Sequence, residues 1–262
     1  MTNGGGNLEK VKTQKMNQTF GEELFSEDLM FMSHSPMRPL LRKYSSQGGV
    51  LLITGSLNIT DIVNDMGITN YVTADELHTI FHGPHEFLQE HFHLTFNVSK
   101  EEAEKVEARI KKRLGWDSLP HTYNEWGDII KAIFALNDVN PYEKALEVIH
   151  NVYQERTKRG LPLPPYHAGH NDIAFAGNYH RPRMAFGPFN YMLDHHCSRH
   201  NFQYPKHYFG KPGKAVFEYV QDVLVNKFGD GCFFMFGDNP RADIKGANEI
   251  GWASFLTQTG VH

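Results

Sequence analysis

Short, continuous apolar runs bounded by turn residues constrain this chain more than any other feature. "GVLLITG" (49–55), "DIIKAIFALN" (128–137), "CFFMF" (232–236) and "WASFLT" (252–257) lack the alternation of a half-solvated strand. They read as strands buried on both faces, the pattern of a parallel sheet. Helical periodicity lies between them. Ser99 and Glu102 have capping-box spacing, followed by Ala103, Val106, Ile110 and Leu114 on one face and Gly115 as a stop. Asn140-Pro141 opens a second helix with Tyr142, Leu146, Ile149 and Tyr153 on one face, and a third runs from about Lys214 to Phe228. Asn7 is placed to cap an early helix that ends at Gly21, and 191–200 has helical character. Strands alternating with helices predict an α/β fold, its parallel sheet covered on both faces and its ligands bound outside the carboxyl ends of the strands.

The composition narrows the function. A formal charge of −4 over 262 residues, with no run of Lys and Arg, gives no footprint for nucleic acid. No apolar run approaches the roughly 20 residues of a membrane helix. Cys197 and Cys232 are too few for a disulfide framework, and Cys232 falls in a run read as a buried strand, so a reducing compartment such as the cytoplasm is expected. A small molecule or a protein is the expected partner. "NYVTADEL" (70–77) reads as a second short strand, after which the composition turns His-rich and aromatic, which predicts a domain boundary near His78.

"FMFGDNPRADIKGAN" (234–248) carries the chemistry. A strand breaks at Gly237, Asn239 and Pro240 supply a cap and a first turn, and Asp238 and Asp243 then face one pocket at the strand's carboxyl end. Hard oxygen ligands of this kind suit Mg²⁺, which takes one or two carboxylates and completes its shell with water and phosphate oxygens. The competing reading is that both aspartates serve only the helix terminus. Lys211, in a Gly-Lys-Pro turn before a helix, can set an ammonium against a phosphoryl group. Thr2-Asn3-Gly4-Gly5-Gly6 offers a hydroxyl, an amide and a run of N–H groups, the composition of an anion nest.

In order along the chain, "TNGGG", "SHSPM", "GKPGKAVFEY" and "FGDNPRADIKGANEIGWASFLTQTG" resemble the second to fourth motifs of haloacid-dehalogenase-type (HAD) hydrolases of subfamily IIA. "HNDIAFA" and "PRMAFGPF" add a likeness to the cat-eye-syndrome-critical-region branch. The resemblance implies a Rossmann-like core, 1–77 with 206–262, and an inserted α/β cap, 78–205, carrying a His-rich insertion at 78–125. It also implies Mg²⁺-dependent hydrolysis of a small phosphorylated metabolite through an aspartyl-phosphate. By that resemblance Thr2 contacts the phosphoryl group with Asn3 beside it, and Lys211 balances charge. Asp238 coordinates Mg²⁺, Asp243 supports the metal site, and Gly4, Asn171 and Asp172 meet the substrate. Relatives in the branch include mitochondrial proteins, so that compartment stands as an alternative.

The family's first motif, a strand ending in Asp-x-Asp that provides nucleophile and acid/base, has no counterpart, since no Asp-x-Asp occurs in the sequence. The core is therefore expected to lack that strand, the chain to be truncated before the second motif and after the fourth, and phosphatase turnover to be absent. Asp61, Asp65 and Asp75 are not placed to substitute. A non-catalytic protein that binds a ligand or a protein partner is the rival reading. His78, His82, His85, His91 and His93 cluster in sequence, and His196 and His200 flank Cys197 at i, i+4 spacing, but no further ligand recurs at zinc spacing. Those histidines are read as surface or cap packing, and Phe186, Phe189 and Tyr191 as core rather than as pocket lining. Substrate identity and oligomeric state are not legible.

Overall fold

The computed structural model describes residues 1–82, 98–176, 180–258 and 260, so His85, His91 and His93 lie outside the described residues. In chain order the elements begin with α1 (Glu9–Phe20), α2 (Arg38–Ser46), β1 (Val50–Thr54), α3 (Ile59–Asp65), β2 (Tyr71–Thr73) and α4 (Ala74–His82). They continue with α5 (Lys100–Leu114), α6 (Tyr123–Ile129), β3 (Ile130–Ala135), α7 (Tyr142–Lys158) and β4 (Tyr166–Ala168). Next come β5 (Ala174–Phe175), β6 (Arg183–Met184), α8 (Gly187–Arg199), β7 (Lys206–Tyr208) and α9 (Lys214–Phe228). The last are β8 (Phe234–Gly237), α10 (Lys245–Glu249) and β9 (Ala253–Leu256).

Five parallel strands form one sheet in the order β2-β1-β3-β4-β7. Its alternation feeds two cores. Val50 and Leu52 of β1 face the large cluster around Trp126, Tyr153, Tyr166 and Phe189, whereas Leu51 and Ile53 face Met37, Leu41, Ile62 and Phe134. The register slips between Val50 and Leu51, which pair with Ile130 and Ala132. Lys131, the extra residue of this bulge, is thereby left exposed, and the apolar residues on either side of it keep their proper faces.

The α/β class with a parallel sheet buried on both faces is as the sequence predicts, and α9 has the predicted limits. His78 lies within α4, and β1 and β2 are hydrogen-bonded into the same sheet as β3 and β4. Three details differ from the sequence reading. At the N-terminus Leu8, not Asn7, holds the cap position without a side-chain bond, because the Asn7 amide oxygen accepts from Lys15 Nζ at 3.1 Å. Asp128 and Ile129 end a helix rather than open a strand: Thr122 and Glu125 form a reciprocal capping box that starts α6 just upstream. Cys232 is exposed, since β8 starts only at Phe234.

β8 and β9 form a separate parallel pair. One side packs Met235 and Trp252 against Phe217 and Val220 of α9. The other leaves Phe234, Phe236 and Phe255 exposed, Phe236 at 64 %, so this sheet is not covered on both faces as expected.

Candidate functional site

The polar residues of interest follow the carboxyl ends of four parallel strands. β3 runs into Asn137 and Asp138, β4 into Gly169 to Asp172, β7 into Gly210 and Lys211, and β8 into Asp238. With residues 2–4, Asp138, His170, Asp172, Lys211 and Asp238 line a cleft of about 450 Å³. Thr2, Asn3, Gly4, Asp172, Lys211, Asp238 and Asp243, named from sequence, all lie on its wall.

Asn3 fastens the loops together. Its amide Nδ2 donates to Asp172 Oδ2 (2.7 Å) and to the Lys211 carbonyl (2.9 Å), and its Oδ1 accepts from Lys211 N (2.8 Å). One nearly buried side chain thus ties its own loop to two others, 169 and 208 residues away in sequence. The approach is close enough to require glycine at 210, where a Cβ would stand 2.5 Å from the Gly169 carbonyl oxygen and 2.7 Å from Asn3 Oδ1. Thr2 N donates to the Phe31 carbonyl at 2.9 Å, and Thr2 Oγ1 accepts from Gly4 N at 3.1 Å, so the Thr2 hydroxyl keeps its proton to donate.

Lys211 Nζ forms an ion pair with Asp243 Oδ1; the two side chains are only 11 % and 4 % exposed. Asp243 Oδ2 accepts from Asn239 N at 3.0 Å. Asn239 is the predicted cap: its Oδ1 accepts from Arg241 N (3.0 Å) and Ala242 N (3.1 Å), although the first turn, Pro240–Ile244, is wound wide in π fashion before α10. Both Asp243 oxygens therefore have protein donors, which suits a carboxylate that holds the lysine. Asp238 is half-buried at the strand end and is the carboxylate better suited to a metal. A half-buried carboxylate with a second carboxylate beside it, at the mouth of a polar cleft, fits the oxygen-ligand chemistry of Mg²⁺.

Asn171 is not on the cleft wall. Its Oδ1 accepts from Asn190 Nδ2 (2.9 Å), whose donor also reaches the His170 carbonyl (3.0 Å), so Asn171 ties the loop to α8. Asp138, His170 and Lys12 line the cleft and were not singled out from sequence. Asp138 carried the right signal, being the first acidic residue beyond a predicted parallel strand. Burial pushes the His170 imidazole below its usual pKa; Asp172, 3.6 Å away, and Asp138 oppose this, and Lys211 adds to it. Asp61, Asp65 and Asp75 do not line this cleft. Phe186 and Phe189 are buried core, as read, but Tyr191 is exposed.

Behind the glycine loop, Glu9 at the start of α1 accepts from Ser35 Oγ (2.7 Å) and Arg38 (2.7 Å) and lies 3.4 Å from His34 Nε2. This clamp fixes "SHSPM" to the helix that carries the loop. Burial pushes the Glu9 carboxyl up, but hydrogen bonding to His34 and its charge, with Ser35 and Arg38, outweigh this and hold it at about 2.

With the cleft at the strand ends and its Lys–Asp pair in place, the relationships of the chain become informative. Residues 208–262 match the family model described as HAD-hydrolase-like. The motifs and the fold agree with that match, so the C-terminal part of the chain is similar to the haloacid-dehalogenase-like hydrolases. It is 26 % identical, over its whole length, to a cardiolipin synthase (CMP-forming)/mitochondrial hydrolase fusion protein of Schizosaccharomyces pombe, of which it spans 42 %. It is 23 % identical to a mitochondrial hydrolase of Saccharomyces cerevisiae, again over its whole length and 77 % of that protein. The fold is similar to that of a glycerol phosphate phosphatase of Mycobacterium tuberculosis in complex with magnesium, with a TM-score of 0.58 and 14 % identity, covering 100 % of this chain and 58 % of that one. Among the described residues no helix is long and apolar enough to cross a membrane.

Proposed function

We propose that these residues form the phosphate- and metal-binding part of a Mg²⁺-dependent phosphatase acting on a small phosphorylated molecule. The observation that carries the reading is the Lys211–Asp243 pair, set beside Asp238 and tied through Asn3 to the Thr2 hydroxyl. The Thr2 O–H donates to a phosphoryl oxygen. Lys211 balances phosphoryl charge, and Asp243 holds its ammonium in place. Asp238, supported by Asp243, would hold Mg²⁺, and the ion would supply positive charge to neutralise the phosphate. Asp172, anchored to Asn3, lines the cleft where a substrate would sit.

The nucleophilic carboxylate of the family mechanism is not among the cleft's four. Asp243 and Asp172 are committed to Lys211 and Asn3, Asp238 to the metal, and Asp138 sits at the exposed rim. Among the described residues no carboxylate is then left to act as the nucleophile, and we infer that this chain alone does not turn over a phosphate ester by the family mechanism. The relatives' names support a mitochondrial location over a cytoplasmic one.

Hydrolysis of an aryl phosphate with Mg²⁺ tests the reading, comparing this chain, a version extended at its N-terminus by a strand ending in Asp-x-Asp, and Asp238→Asn in each. Activity confined to the extended form and lost with Asp238→Asn supports it. Asp238-dependent activity in the shorter chain would refute the claim about the nucleophile, and silence in both forms would favour a binding protein.

A further inference from the structure

On the faces of α7 and α8, away from the cleft, three imidazoles converge. His196 and His200 stand one turn apart on and just after α8, and His150 comes from α7, which packs beside it. One donor atom from each lies within 4.8 Å of the others, and His196 Nε2 is 2.8 Å from His150 Nδ1. The ring centroids are 4.9, 4.7 and 4.5 Å apart. Local spacing reveals only the i, i+4 pair, and the third ligand arrives from 46 residues away.

We propose that His150, His196 and His200 form a zinc site that staples α7 to α8. Tetrahedral zinc with Zn–N bonds of roughly 2.0–2.1 Å sets its nitrogens about 3.3 Å apart, within the span these atoms already occupy. A metal replaces an N–H···N bond that satisfies only one pair of rings with three bonds to one centre. The rings are held for it. His200 stacks on Phe202 with centroids 5.5 Å apart, His150 tilts against the same ring at 5.5 Å, and Phe202 is itself buried. His200 is exposed, so the fourth position opens to water. Cys197 is excluded as a ligand: it lies in the core with Tyr153 and Phe202, and burial pushes its thiol up to about 12. The site shares no residue with the phosphate cleft.

Tag-free, metal-stripped protein is titrated with Zn²⁺ against a chromophoric chelator, with His196→Ala, His200→Ala and Asp238→Asn alongside. The expected result is one ion per chain, bound at roughly micromolar Kd or tighter. Each histidine variant weakens it at least about tenfold, and Asp238→Asn leaves it unchanged. Zn²⁺ also raises the Tm of the parent and of Asp238→Asn but not of the histidine variants. His200 is exposed at a helix end, so His200→Ala keeps the fold and the comparison stands if His196→Ala does not. Failure of the parent to bind Zn²⁺ below about 100 μM, or binding by His200→Ala equal to the parent's, overturns the proposal.

Discussion

Replacing Glu9 with Gln removes the charge at the centre of the clamp behind the glycine loop while keeping its size. The folded-state carboxyl sits at about 2 against an ordinary 4.5, so the native state favours the carboxylate by about 3 kcal/mol. Because the folded pKa is the lower one, this stability is fully present above 4.5 and fades as pH falls toward 2. At pH 7 Glu9→Gln is expected to lose about 3 kcal/mol. At pH 3.5 the parent's advantage shrinks to about 2 kcal/mol, since the unfolded state then binds a proton the native state refuses. Urea unfolding of both proteins from pH 7 to 3.5 measures the difference directly. A gap below about 1 kcal/mol at neutral pH, or one that does not narrow with acid, would mean that His34, Ser35 and Arg38 do not stabilise the Glu9 charge and that the clamp is packing alone.

Three further outcomes follow from the same contacts. Lys211→Met strands the Asp243 carboxylate, 4 % exposed, with one backbone donor, and should cost about 3–5 kcal/mol in urea unfolding. Adding Asp243→Asn should restore more than half, and strictly additive losses would deny the pairing. Asp172→Asn should lower the His170 pKa further, read from its ring resonances by NMR, because it removes a charge that opposes burial; a rise would show that Asp172 does not act on that ring. Gly5→Ala places a Cβ 2.8 Å from the Leu136 carbonyl oxygen and 2.5 Å from Ser33 Oγ, at an expected cost of about 1–3 kcal/mol by thermal melting. Pairing it with Ser33→Ala should recover little, because the carbonyl cannot turn away.

What could be read in the chain was local. The limits of α9, the strand at 50–54, the Ser99 cap and the Gly237-Asp238-Asn239 turn each rest on a few adjacent residues whose preferences agree. Pairing was not legible. That β1 lies between β2 and β3, and that β8 pairs with β9 apart from the main sheet, depends on ladders between segments far apart in sequence. The cleft shows the same split. Asp238, Asp243 and Lys211 stand in recognisable turns, whereas Asp138 and His170 become cleft residues only when β3 and β4 bring their ends beside residues 2–4. Asn171 and Asp172 looked alike in one loop, and only the position of Asn190 separates them. His150 is a single histidine on an amphipathic helix until α8 packs against it.

Calorimetric titration of inorganic phosphate into this protein, with and without Mg²⁺, in the parent, Thr2→Val and Asp238→Asn, tests the assembled site most directly. The account predicts phosphate binding that strengthens with Mg²⁺, loses that dependence in Asp238→Asn and weakens at least about tenfold in Thr2→Val. Binding indifferent to Mg²⁺ and unchanged in both variants would contradict it.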